Sequence, residues 1–329
     1  MDRYIFNYIC DLKLPPWGEI NNLNNIYVKI EKHDIFNVYF IDKHLDNNYE
    51  TINIPGDTDL LLISTSNSAH SISELLSFIQ YYENKTNKIA ISEYFIKDLP
   101  FLYELLQLFI PKDRFIILYD SKNYLFTTLI TYRCHHFNYT KNWNTIPFIK
   151  KNNSLYFENI QSIKSSFLVD STNLFNKVEE IYNNHKHNYT LYDNIALIKF
   201  NNEICTTPSR GFQILNENVK IKMNHIKFIS MKDFKNIEHY ICVLYHAKNV
   251  IFSYGGPCCT NRFFCNPESN VIVLCNKPYK YEYEYNNETQ LYWHVRHSHL
   301  IPVKNQTFLL DFENHIDEDN VNDILNLLC

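Results

Sequence analysis

Glycine is scarce in this chain: five residues in 329. That scarcity excludes the glycine-rich nucleotide loops. No Gly-x-Gly-x-x-Gly follows a strand, and no Gly-Lys-Ser/Thr closes a phosphate loop. Without a glycine-rich turn after its first strand, the chain does not read as a dinucleotide-dependent oxidoreductase. Long apolar runs are missing too. None reaches the roughly 18 to 20 residues a membrane span needs, and no charged-then-apolar leader opens the sequence, so no transmembrane segment is expected. Charge of one sign is not concentrated anywhere. The formal net charge is −5 and there is no basic run or basic helical face, which argues against a nucleic-acid partner. Internal repeats are absent. The nine cysteines are odd in number and scattered, with no disulfide framework, so a reducing, cytoplasmic compartment is expected.

What is there suffices for a large core. Hydrophobic residues make up 45% and aromatics 16%, a composition that disordered chains do not have. Abundant Asn, Ile, Lys and Tyr reflect AT-rich coding. The first 55 residues read as irregular and β-rich, with short strands near Ile26–Ile30 and Val38–Ile41. A strand–helix alternation then begins. "DLLLIST" from Asp59 is a strand buried on both faces, followed by a helix with Ile72, Leu75, Leu76 and Ile79 at helical spacing. "KIAISE", "LPFLYELLQLFI" and "RFIILYD" continue as strand, helix, strand. From about Arg133 to Ser166 the pattern lapses, as in a connection between domains. It resumes with the helix "LFNKVEEIYNNH", the strands "NIALIKF" and "HIKFISM", and a helix striped by Phe234, Ile237, Ile241 and Leu244. The strands "NVIFSY" and "NVIVLC" and a last helix, "DEDNVNDILNLL", follow.

Such alternation predicts an α/β protein with parallel strands and crossover helices. The expected division is an N-terminal Rossmann-like domain over residues 1–165, with its β-rich start, and a C-terminal Rossmann-like domain over residues 166–329. A ligand site is expected in a cleft between them, at the carboxyl ends of the strands.

Two of the five glycines stand together, Gly255 and Gly256, after the strand that ends at Tyr254 and before a short helix expected near Cys259. Glycine there permits a tight turn and close approach of a ligand to the backbone. The N–H groups of a following helix would suit a phosphate or another anion, with Thr260 and Asn261 adding side-chain hydrogen bonds. A sharp turn with a packing role alone is the competing reading.

The stretch "GGPCCTNRFFCNPESNVIVL" resembles the C-terminal signature of the family 61 glycosyltransferases, the DUF563 group. Gly255, Gly256, Thr260, Asn261, Phe264 and Pro267 fall in register with it. Pro257, Cys258 and Cys259 depart from the small residues and leucine usual there. "ALIKFNNEICTTPSRGFQILNENV" resembles that family's strand with a following basic residue and an Arg before an Asn-rich helix start, with Lys199 and Arg210 at the basic positions. "SAHSISELLSF" resembles its His-aromatic-x-x-acid helix start, with His70 and Glu74 in place and Ser71 where an aromatic is common. The likeness spans roughly residues 60 to 310.

That resemblance implies a GT-B-like enzyme with two Rossmann-like domains facing a central cleft. It would transfer a hexosyl, pentosyl or N-acetylhexosaminyl group from a nucleotide-sugar to a glycan or glycoprotein acceptor, with inversion and no metal or other cofactor. Leaving diphosphate charge must then be balanced by arginine, lysine and helix N-termini. Donor binding is assigned to Lys199, Arg210, Gly255, Gly256, Cys259, Thr260 and Asn261. Glu74 or His70 would take the acceptor's proton. The competing readings are a His70–Glu74 pair on one helix or a cap at its start, and for Arg210 a surface arginine paired with an acid. The alternative function is a catalytically degenerate protein of the same fold that binds a nucleotide or glycan or serves as a scaffold. A homodimer is compatible with either.

Two other groups were weighed for metal binding. His294, His297 and His299 stand close in sequence, as do Cys258, Cys259 and Cys265, but their spacings match no zinc motif, and no metal site is assigned. The tyrosine-rich "YKYEYEYNNE" reads as a solvated strand or loop, with sugar stacking as the other reading.

Overall fold

The structure is a computed structural model that describes residues 20–33, 36–42, 49–61, 75, 78–79, 82, 85–132, 149–151, 154–157, 172–198, 213–214, 217–253, 261–276, 303, 305–312 and 315–328. The chain divides into two compact units. Unit 1 is Met1–Asn138 with Phe167–Asp170, and unit 2 is Tyr139–Ser166 with Ser171–Cys329. Both hold parallel-rich sheets with helices, an α/β architecture. Among the described residues, no helix is long and apolar enough to cross a membrane.

Unit 1 carries a six-stranded sheet in the order β2-β1-β6-β3-β4-β5. The strands are β1 (Ile20–His33), β2 (Phe36–Asp42), β3 (Thr51–Leu60), β4 (Lys88–Ser92), β5 (Phe115–Leu118) and β6 (Asn123–Tyr132). β1 is antiparallel to β2 and β6, while β6, β3, β4 and β5 are mutually parallel. The β-rich start is thus a long hairpin rather than the short strands expected from the sequence. Strand–helix alternation stops at β5, because residues 119–122 lead into β6 with no helix between.

Strand β3 also begins earlier than the apolar run "DLLLIST" predicts. Its first half contains Pro55-Gly56, a pair that normally marks a turn. Here it makes a bulge: the pairing with β6 shifts between Ile54 and Asp57, and Gly56 has φ +78°. β4 pairs with β3 only from Thr58 onward, so Pro55 withholds an N–H where one neighbour is absent.

Helix α1 (Glu93–Asp98) is capped by Ser92 Oγ, which accepts from Tyr94 N at 3.1 Å, and α2 (Pro100–Gln107) opens on proline. Leu75, Phe78, Ile79 and Tyr82 are helical and buried, at the i, i+3, i+4, i+7 spacing of one helix face. Ile26, Val28, Ile30, Ile54, Leu60, Ala90, Leu118, Tyr124, Phe126 and Leu129 form one core.

Unit 2 holds a seven-stranded sheet in the order β11-β9-β12-β13-β14-β8-β7. Its strands are β7 (Ile149–Lys151), β8 (Ser154–Phe157), β9 (Asn194–Leu197), β11 (Lys227–Phe228), β12 (Asn249–Ser253), β13 (Asn270–Asn276) and β14 (Asn305–Phe312). The short β10 (Gln213–Ile214) and β15 (His315–Ile316) pair separately. β11, β9, β12, β13 and β14 are parallel. β8 and β7 close the other edge as an antiparallel hairpin. That hairpin comes from the stretch where the sequence pattern lapses, so part of that stretch belongs to the unit 2 sheet.

The helices are α3 (Thr172–His185), α4 (Glu217–Lys222), α5 (Ile237–His246) and α6 (Glu318–Leu325). One face of the sheet presents Ala196, Ile198, Ile251, Ile272, Leu274 and Leu309 to Val219 and Met223, at and just past α4, and to Val321 and Ile324 of α6. The alternate residues Ile195, Val250, Phe252, Val271 and Val273 are equally buried on the opposite face. Helices α3 and α5 pack on each other, with the Tyr182 and Tyr245 rings 4.9 Å apart.

Four of the parallel strands begin with asparagine, in one register row: Asn194, Asn249, Asn270 and Asn305. Asn249 Nδ2 donates to Asn194 Oδ1 at 2.8 Å, and Asn270 Nδ2 donates to Asn249 Oδ1 at 3.1 Å. An amide offers both a donor and an acceptor, so such a row satisfies itself across strands and pins their register.

Candidate functional site

In chain order the five parallel strands of unit 2 are β9, β11, β12, β13 and β14, and in space they run β11, β9, β12, β13, β14. The chain goes from β9 outward to β11, then returns past β9 to β12. Right-handed crossovers on such a path put α4 and α5 on opposite faces. In open α/β sheets ligands bind at such a reversal, beyond the carboxyl ends of the flanking strands, which here are β9 and β12. β9 ends at Leu197 and β12 at Ser253.

Helix α5 brings its first turn to that end of the sheet. Asn236 caps it, Oδ1 accepting from His239 N at 2.9 Å. Tyr189 OH donates to the same Oδ1 at 3.2 Å, and the Tyr189 ring stacks on His239 at 4.5 Å. His239 Nδ1 accepts from the Lys235 backbone N–H at 3.2 Å. Burial, with Lys235 nearby, holds the imidazole below its ordinary pKa. An Nδ1 that accepts the Lys235 N–H carries no proton, so the ring proton sits on Nε2.

Beyond β12 the chain returns toward β13 through Asn261, which is helical, and the 3-10 turn Arg262–Phe264; the start of the short helix expected near Cys259 lies outside the described residues. This return path packs on α3 and α5. Tyr240, in the first turn of α5, sits edge-on between Phe234 at 4.8 Å and Phe264 at 5.3 Å. Its hydroxyl donates to Asn261 Oδ1. Complete burial, with the Cys265 thiol nearby, raises the Tyr240 hydroxyl well above its ordinary pKa, so it keeps its proton. Asn261 is 2% exposed, and its Nδ2 has no hydrogen-bond partner. Arg262 is wholly buried, and its Nη1 donates to Gln306 Oε1 at 2.6 Å. Gln306 in turn donates from Nε2 to Val303 O at 3.1 Å.

Of the residues singled out in the sequence, Asn261 is described, and it lies inside the unit rather than on an open loop. His70, Glu74, Lys199, Arg210, Gly255, Gly256, Cys259 and Thr260 lie outside the described residues, as do Cys258, His294, His297, His299 and Tyr279–Glu288. Lys199 follows Leu197 by two residues and Gly255 follows Ser253 by two, so both of these segments leave the sheet from the strands flanking the reversal. Cys265, part of the cysteine group, is buried, and its Sγ points to Asn261 O at 3.8 Å. Among the described residues no cluster of three or more His, Cys, Asp or Glu could hold a metal ion.

No protein-family model matches the chain, and a search of curated proteins finds no relative. The site is therefore argued from its own residues. Sequence reasoning missed Tyr240, Arg262 and Gln306. Tyr240 was findable, because it lies three residues after Ile237 and four before Leu244, on the apolar stripe of α5. Phe234, assigned to that stripe, instead precedes the helix and packs against its first turn. Arg262 directly follows the singled-out Asn261, but only the fold pairs it with Gln306, 44 residues away.

Proposed function

We propose that the protein is an inverting, metal-independent glycosyltransferase of GT-B-like fold whose unit 2 binds the nucleotide-sugar donor. The observation that carries the reading is the strand order of unit 2. It reverses between β9 and β12, and those two strands run into the segments with Lys199 and Arg210 and with Gly255–Asn261. These are the segments whose residues resemble the family 61 donor site. In this reading Arg210 and Lys199 offset the charge of the leaving diphosphate, and the turn at Gly255 and Gly256 offers backbone N–H groups to it. Glu74 or His70 accepts the proton of the acceptor hydroxyl as the glycosidic bond forms.

The departures at Ser71 and Pro257–Cys259 favour a second reading, in which the chain binds a nucleotide or glycan without catalysis. One experiment separates the two. A panel of nucleotide-sugars and nucleoside diphosphates is tested by thermal shift with and without EDTA, and donor hydrolysis is followed on those that bind. Binding that survives EDTA together with hydrolysis supports the enzyme. Binding without turnover selects the second reading, and no binding removes the enzyme and leaves only the glycan form of the second. Arg210→Ala is expected to weaken donor binding by about 1.5–3 kcal/mol, the value of a hydrogen bond to a charged group, with the melting temperature of the free protein unchanged.

A further inference from the structure

The Nδ2 of Asn261 is a hydrogen-bond donor enclosed in the interior with no acceptor. Enclosed donors are nearly always satisfied, so an unmatched one marks a place where an acceptor belongs. An asparagine amide can present either its oxygen or its nitrogen on a given side, since its terminal torsion has two nearly equivalent settings. Here one partner decides between them. Tyr240 OH donates to Oδ1, which turns Nδ2 the other way. The tyrosine has little freedom of its own, being held edge-on by Phe234 and Phe264. Asn261 also directly follows Thr260 in the sequence, on the path from β12.

We infer that Tyr240 is a positioning residue: by holding Oδ1 it commits the Asn261 amide to donate Nδ2 to a phosphate oxygen of a nucleoside diphosphate. Phosphate oxygens only accept, so the amide must arrive nitrogen first, and a freely turning amide would be wrong half the time. The inference rests on the donor reading of unit 2. It extends that reading to a side chain that touches no ligand.

The test is a double-mutant cycle on the full chain with uridine and guanosine diphosphates, and with inorganic pyrophosphate as a base-free probe, read by calorimetry. Selective amide NMR of asparagine side chains accompanies it, the Asn261 signal being assigned by its loss in Asn261→Ala. Tyr240→Phe keeps the ring packing and removes only the hydroxyl. It is expected to lower affinity roughly tenfold, as is Asn261→Ala, the scale of one hydrogen bond to a charged acceptor. The double variant is expected to bind no more weakly than Asn261→Ala alone, because the tyrosine acts only through the amide.

Additive losses, or a Tyr240→Phe variant that binds like wild type, would overturn the inference while leaving the donor reading standing. If no nucleoside diphosphate binds but pyrophosphate shifts the Asn261 amide signal in wild type and not in Tyr240→Phe, the donor reading fails and the positioning role survives. If no probe shifts that signal, the positioning role falls as well.

Discussion

Both units bury polar side chains in parallel sheets, and they do it by opposite means. In unit 2 the polar group is a neutral row centred on the buried Asn249, with Asn194 and Asn270 half-buried on either side. Asn194, Asn249 and Asn270 pass hydrogen bonds from strand to strand, and Asn270 also donates to Leu327 O. In unit 1 the buried group is ionisable. Asp59 on β3 is wholly enclosed, and neither carboxylate oxygen closes a hydrogen bond. Arg114, 8% exposed, spends Nε on Asn87 O at 2.9 Å and Nη1 on Tyr82 O at 3.3 Å, leaving Nη2 without a partner. Burial raises the Asp59 carboxyl above the usual carboxylate value. The Tyr82 hydroxyl, Lys85, the Asn87 side chain and Arg114 pull it back down. An amide row answers its own hydrogen-bonding needs whatever the pH. A buried carboxylate depends on its neighbours and on its proton. Polar groups in a sheet thus give register in one unit and pH sensitivity in the other.

The amide row should be the costlier to break. Asn249→Leu leaves Asn194 Oδ1 and Asn270 Nδ2 without the partner they share. It is expected to destabilise the protein by about 2–3 kcal/mol, measured by urea denaturation, with the same loss at every pH. A loss below about 0.5 kcal/mol would mean that the row contributes nothing that water does not replace.

The ionisable group should show itself in slope rather than depth. Its native pKa is raised, so the folded protein holds the Asp59 proton more readily than the unfolded chain does. Stability from this group is full below the unfolded value of 3.8 and is lost as pH rises through the raised native value. Asp59→Asn removes that loss. The variant's stability relative to wild type should therefore climb across that window, in denaturation midpoints taken from about pH 4 to pH 7. A flat difference would place Asp59 among groups whose neighbours fully compensate its charge, and the contrast between the units would vanish.

The smallest effect is expected at the exposed start of β12. Lys248 Nζ lies 2.9 Å from Asp193 Oδ2, both side chains more than half exposed. Asp193 also meets His246 Nε2 at 3.5 Å, while Tyr182 OH meets His246 Nδ1 at 2.9 Å. Lys248→Met should change stability by less than about 0.5 kcal/mol, since solvent screens such pairs. A larger loss would tie the amide row to a network that includes these surface charges.

Much of this fold is written locally. After their leading asparagines the runs "VIF" and "VIVL" are apolar because both faces of their strands are covered, and they fold within β12 and β13. The spacing of Leu75 and Ile79, and of Ile237, Ile241 and Leu244, comes from helix geometry and survives in the buried positions. The acidic first turn of the last helix is likewise local: Asp317 caps α6 with Glu318 and Asp319 behind it. These features depend on neighbours within about two turns of the chain, so the sequence alone determined them.

The tertiary structure decided the rest. Whether Pro55-Gly56 turns the chain or bulges a strand depends on β6 pairing along β3 before β4 arrives. Whether the row of strand-initial asparagines meets depends on four strands starting in one register. The reversal between β9 and β12 is a matter of spatial order, which no local pattern encodes. Asn261 could be picked out as a polar residue beside a glycine pair. That its oxygen is taken by Tyr240, 21 residues earlier, and its nitrogen left over follows only from the packing of α5 on the return path to β13. Hydrogen bonds between distant side chains are chosen by the three-dimensional neighbours that folding supplies, and for that reason the part of the site closest to chemistry was the least legible in the sequence.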